Sequence, residues 1–163
     1  MASGSPVKCH LAADAIEAIH KFATGEFDHV VLKCVTNKET IVVDSSEESK
    51  IPLEDIAQDL PDTSPRFVLL HFTTQDDPSF ASNYQVLIYF NPMDTLPSIK
   101  RSYELSMQSV EAALTALKNL KVVTINDILD LTPVNLMVSI QGLKGTASDK
   151  LDAKFKTYGR EKV

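Results

Sequence analysis

Four histidines, two cysteines and the acidic pair Asp76-Asp77 are the side chains in this 163-residue chain singled out as types that could do chemistry. A general base needs an imidazole oriented by a carboxylate, and a metal centre needs ligands clustered by their spacing. No two of His10, His20, His29 and His71 stand three or four residues apart, so none share a helix face beside a carboxylate. His71 falls inside an apolar strand pattern and reads as a packed or surface histidine rather than a base. Asp76-Asp77 looks like an acid–base pair, yet it sits before Pro78 in a polar stretch where Asp and Pro favour turns for backbone reasons. Cys34 alternates with apolar strand residues and reads as core. With Cys9 it makes neither a disulfide framework nor a metal set, and both read as free thiols of a reducing compartment. The chain carries no GxGxxG, no phosphate-binding loop and no HExxH. These residues predict an interaction module without cofactor or metal, not an enzyme.

Composition narrows the partners. A 44% hydrophobic, 23% charged chain of this length is expected to be one globular domain with a real core. Its net charge of -6 argues against nucleic acid, whose phosphates need a basic surface. Charge is uneven: six Lys/Arg stand against three Asp/Glu after Gln141, so the last residues are basic and the body acidic. No apolar run approaches the ~20 residues that span a bilayer, and the first ten residues lack the apolar region of a secretory signal. The expectation is a cytoplasmic monomer that binds no membrane.

Residues 1–9 are small and polar and are expected to be flexible. From His10 to Ala23, Leu11, Ala15, Ile16, Ile19 and Phe22 recur at helical spacing, and Gly25 supplies a left-handed cap. Residues 30–35 and 40–44 are β-branched runs joined through Asn37-Lys38-Glu39, which predicts a hairpin. Pro52 opens a short helix with Leu53, Ile56, Ala57 and Leu60 on one side. Residues 66–74 form a third strand, and residues 84–90 a fourth whose nearly continuous apolar run predicts burial on both faces. Residues 121–125 form a fifth strand; the helix between it and the fourth predicts parallel pairing. Thr132-Pro133 signals a last helix that stops at Gly142, and residues 143–163 show weak periodicity at best. The order predicts an α/β domain over residues 10–141, a mixed, mostly antiparallel five-stranded sheet flanked by helices on both faces. Residues 142–163 form a basic extension.

The longest helical pattern runs over residues 97–120. Ile99, Tyr103, Met107, Val110, Leu114 and Leu117 recur at steps of three and four, and Pro97 suits the first turn. Opposite them lie Arg101, Leu105, Gln108 and Ala112, an unusually uncharged outer face. Such a face belongs either to an ordinary amphipathic helix with one exposed leucine or to a helix that docks a partner.

Three stretches resemble the actin-depolymerising factor homology family, and within it the glia maturation factors. Residues 59–72, DLPDTSPRFVLLHF, are similar to the LP-x-x-x-PRF-V/I strand entry of the glia maturation factors. In residues 90–107, Phe90, Pro92, Lys100 and Tyr103 match the spacing of the ADF/cofilin signature, and Pro97 falls where glia maturation factors carry a proline. Residues 121–132, KVVTINDILDLT, are similar to the run that leads into the family's final helix. There are departures. Ser98 takes the signature's first basic position, Met107 the lysine that ends it, Leu105 the place of a small residue, and Glu104 that of an alanine. Arg101 stands where the family has Met, and of the basic cluster ending the first helix in glia maturation factors only Lys21 is retained.

The resemblance implies a single ADF-homology domain and a non-enzymatic regulator of actin. Cofilin-like members bind actin monomers and filaments. Glia maturation factors bind the actin-related protein two/three complex, inhibit nucleation and promote debranching. For that complex the resemblance implies a surface made by the N-terminal segment, the start of the long helix and the strand-to-helix link near the C-terminus. A second surface, on a sheet-end loop and the last helix, would meet actin. On this chain the expected interface is Lys100, Arg101, Glu104, Leu105, Gln108 and Ala112, with Ser3 and Ser5 as sites of phosphorylation. The complex is the expected partner and actin the second; a cofilin-like depolymerising or severing factor is the alternative reading. Met107 and the acidic 76–77 loop count against the alternative.

Overall fold

The structure, a computed structural model, describes residues 5–73, 83–117 and 120–141. Ser3, the Asp76-Asp77 pair and the basic extension at 142–163 lie outside the described residues. Six strands form one sheet, β1 (His10–Leu11), β2 (His29–Val35), β3 (Thr40–Glu47), β4 (Arg66–Thr73), β5 (Asn83–Phe90) and β6 (Leu120–Ile125), in the order β1-β3-β2-β4-β5-β6. Among the described residues four helices accompany them: α1 (Ala13–Ala23), α2 (Leu53–Gln58), α3 (Pro97–Ala113) and α4 (Pro133–Gln141).

The sheet is mixed, as the patterns predict, but has six strands and not five. The extra strand, β1, is two residues long and lies parallel to β3, with His10 opposite Thr40 and Leu11 opposite Ile41. It takes the first residues of the stretch expected to begin the first helix, so α1 starts only at Ala13. The other pairs agree with the expectation. β2–β3, β2–β4 and β4–β5 are antiparallel, and β5–β6 is parallel, which the α3 crossover makes possible. α3 also ends earlier than its periodicity suggests. Leu114 N–H turns back to Glu111 O, and Leu114 and Leu117 continue the apolar pattern in a turn beyond the helix.

Local chemistry accounts for the boundaries. Gly25, at φ +89°, ends α1, where Glu26 N–H closes on Lys21 O at 2.8 Å. Between β2 and β3 the chain makes a 3-10 turn over Thr36–Lys38 and reverses at Glu39, whose φ of 53° is uncommon for a residue with a Cβ. Asn135 N–H donates to Thr132 Oγ1 at 3.2 Å, the cap that Thr132-Pro133 predicts for α4.

Two cores lie on opposite faces of the sheet. α1 and α3 cover the first, with Phe22, Leu32, Phe67, Leu87, Tyr103 and Val110 at its centre. α2 and α4 cover the second, which gathers Ile56, Val68, Val86, Ile88, Phe90 and Leu136. β4 and β5 feed both: Phe67, Leu69, Leu87 and Tyr89 point one way, and Val68, Leu70, Val86 and Ile88 the other. The continuous apolar run of β5 is thus buried on both faces.

Candidate partner-binding site

The site is built on α3, which the sequence divides into three sectors at about 100° per residue. Tyr103, Val110 and Leu114 face the core. Arg101, Glu104, Gln108 and Ala112 face solvent along one line, with Leu105 beside them and half-buried rather than fully exposed. Arg101 Nη1 lies 3.4 Å from Glu104 Oε1, an i,i+3 pair in which the arginine side chain is 59% exposed. An exposed pair of this kind is worth at most ~1 kcal/mol, so the guanidinium is free to exchange partners. Lys100 is exposed too, but it lies about 100° around the helix from Arg101, at the margin of the stripe. The structure therefore brings four of the six expected interface residues onto one line and sets Leu105 and Lys100 beside it.

The third sector was not read from the sequence. Ser102 and Ser106 are buried, and with Ser109 they hold the N-terminal segment against the helix. Val7 N–H donates to Ser102 Oγ at 2.9 Å and Cys9 N–H to Ser106 Oγ at 2.8 Å, while Ser109 Oγ–H donates to Cys9 O at 3.1 Å. The serines in turn donate along the helix, Ser102 to Ser98 O and Ser106 to Ser102 O. Residues 7–9, expected to belong to a loose leader, are instead fixed along α3, and Lys8 Nζ reaches Gln108 Oε1 at 3.5 Å. Spacings of four and three between Ser102, Ser106 and Ser109 were visible, but serine counts as polar in a hydrophobic pattern. Ser106→Ala leaves the buried Cys9 N–H without an acceptor and is expected to cost ~1–3 kcal/mol, checked by urea denaturation.

Two apolar residues at the entrance to α3 also escaped the sequence reading. Met93 is 85% exposed and Leu96 66% exposed, in the loop that carries the chain from β5 into the helix. Loop residues have no period to betray them. Leu96 immediately precedes α3, and Met93 borders a cavity together with Asp62, Asn126 and Ile128.

The side chains suspected of chemistry lie elsewhere. His71 Nε2 hydrogen-bonds Phe22 O at 2.9 Å and its ring stacks on Phe22, so it packs as predicted. Cys9 and Cys34 are free thiols in the first core, and burial raises the Cys34 pKa, with Cys9 and Ser106 beside it. Among the described residues no group of three or more His, Cys, Asp or Glu is placed to hold a metal ion. No helix among them is long and apolar enough to cross a membrane.

His29 is buried at the start of β2, beside a cavity of about 290 Å³ that it shares with Asp44 and Asp59, and its Nδ1 has no partner. Burial lowers its pKa against the opposing pull of Asp28, Glu47 and Asp59. A lowered folded-state pKa means that the unfolded chain binds the proton more readily. The stabilising effect of neutral His29 is complete above the unfolded value near 6.5 and is lost as pH falls below it. Thermal melts from pH 7.5 down to 5 should therefore show a steeper loss of stability in the wild type than in His29→Gln; parallel curves would remove His29 as the cause.

The profile of the cofilin/tropomyosin-type actin-binding proteins matches residues 8–141. The chain belongs to that family. It is 28% identical over 104 residues to glia maturation factor beta of Rattus norvegicus, covering 62% of this chain and 72% of that protein. The structure is similar to Streptomyces griseoflavus cofilin, with a TM-score of 0.67 at 15% identity, over 82% of this chain and 98% of the other. It is also similar to glia maturation factor from Caenorhabditis elegans, with a TM-score of 0.61 at 19% identity, over 79% of this chain and 93% of the other. These likenesses establish the ADF-homology fold read from the three sequence stretches.

Proposed function

We propose that this chain is a non-enzymatic regulator of actin networks that binds the actin-related protein two/three complex, inhibits nucleation and promotes debranching. The observation that carries this reading is the outer stripe of α3. An exposed arginine weakly held by Glu104, an exposed lysine beside it, and the uncharged Gln108 and Ala112 form one strip, with the exposed Leu96 immediately before the helix. A planar guanidinium recognises carboxylates, and a low-charge helix face fits an apolar cleft. The similarity to glia maturation factor beta supports the choice of the complex over filaments. So does Met107 at the position of the cofilin signature's final lysine. Binding one state of the complex better than another is all the mechanism requires. Ser5 is exposed, two residues before Val7, which is anchored to Ser102 of α3; a phosphate there would add up to two negative charges near that anchored segment and weaken binding to an acidic cleft. Ser3, outside the described residues, is proposed as a second such site.

Two assays in parallel test the reading: co-sedimentation with actin filaments, and pull-down of the purified branching complex. Capture of the complex without filament binding is the expected result. Filament or monomer binding alone would transfer the chain to the depolymerising class.

A further inference from the structure

A second surface lies on the other face of the molecule from the α3 stripe. Between α2, the turn at 59–62 and the 3-10 turn Ile128–Asp130 runs a groove of about 390 Å³. Ala57, Leu60 and Leu131 form its buried floor, and Leu129 stands at its edge 79% exposed. Exposed Glu54 and Asp62 line the groove, and exposed Asp130 adjoins it. Among the described residues no basic residue lines it, and none of these three acids forms an ion pair. The surface is apolar at the floor and acidic at the rim, and it asks for a basic segment bearing apolar side chains.

The chain itself carries one. Residues 142–163, outside the described residues, hold six Lys/Arg against three Asp/Glu. Within them Leu151, Phe155 and Tyr158 are spaced by four and three, with Lys150, Lys154 and Lys156 interleaved. Reach is not limiting. α4 starts next to the groove residue Thr132 and is nine residues long, about 13 Å, so a handful of extended residues at ~3.3 Å each would lead back to the groove.

We propose that the basic segment 142–163 docks in this groove, its apolar side chains over Leu129 and Leu131 and its lysines against Glu54, Asp62 and Asp130. Pairing the same face of two copies would set acid against acid, so the isologous dimer is the disfavoured occupant. The groove shares the 126–132 link with the surface implied for the branching complex. If the proposed function holds, the docked segment competes with that partner; this consequence rests on that reading, whereas the docking does not.

The test is zero-length carbodiimide cross-linking of the full chain at low concentration, with the joined peptides mapped by mass spectrometry. Intramolecular links from Lys150, Lys154 and Lys156 to Glu54, Asp62 and Asp130 are expected. They should fall about tenfold in the full-length Leu151→Ser, Phe155→Ser variant, which keeps every lysine and removes the apolar contacts proposed for the segment. Links spread equally over Asp14, Glu17 and Glu111, or unaffected by the variant, would overturn the proposal. So would groove links that appear only between chains and grow with concentration, which would assign the groove to a second copy. No partner enters the experiment, so a failure of the proposed function leaves its outcome unchanged.

Discussion

Replacing Tyr103 with alanine is expected to cost ~3–5 kcal/mol and to leave little folded protein at physiological temperature. Tyr103 is 1% exposed and sits where α3 meets the sheet, its ring 5.4 Å from that of Phe67. Its hydroxyl does a second job. The β2–β4 register ends at Leu32 and Phe67, and beyond that point Cys34 N–H donates to Tyr103 Oη at 2.9 Å. Burial raises the phenol's pKa and keeps it protonated, with the Cys34 N–H acting in the opposite direction. Tyr103→Phe separates the two roles: it keeps the ring and orphans one backbone donor, for an expected ~1–3 kcal/mol. Urea titrations of both variants measure the split. A Phe variant as unstable as the Ala variant would show that the hydroxyl, not the ring, dominates.

The Lys100→Ala, Arg101→Ala double variant should do the reverse. Both side chains lie outside the cores, and the Arg101–Glu104 pair is an exposed one, so stability should change by less than ~1 kcal/mol. Affinity for the branching complex should fall by at least about tenfold, ~1.4 kcal/mol, if the two cations meet carboxylates in the cleft. Glu104→Gln is the informative companion. It releases Arg101 from its intramolecular partner and should leave binding unchanged or improve it. A folded double variant that still captures the complex would remove the α3 stripe from the interface.

How far the sequence reveals the fold depends on whether an element carries a local pattern. α1 and α3 carry a helical period, β2 to β6 short β-branched or apolar runs between turn residues, and α2 and α4 a proline at the start, and the structure holds an element at each. β1 is two residues long and exists only by pairing with β3, so nothing local marks it. The end of α3 was misplaced because Leu114 and Leu117 keep the apolar step after the helix has turned, and spacing alone cannot tell a helix from the turn that follows it. In the site, the outward line of Arg101, Gln108 and Ala112 follows from helix geometry alone. The serine sector does not, because its residues are buried through hydrogen bonds rather than hydrophobicity. Exposure of Met93, Leu96 and Leu129 depends on what the tertiary fold leaves uncovered, which no local pattern encodes.

The two-residue strand β1 also bears on solubility. Without it β3 would be the outermost strand on its side of the sheet, a row of unpaired backbone groups able to template another chain. Ala12 N–H takes up Ile41 O at 2.9 Å, and Asp14 Oδ2 accepts Val43 N–H at 3.3 Å, so β1 and the first turn of α1 blunt that edge together. The same segment is held to α3 by serine hydroxyls. Letting go of those hydroxyls would therefore bare a β-edge and uncover the Cys9 side of the first core while the second core stayed closed, and the protein would become prone to self-association before it became unfolded.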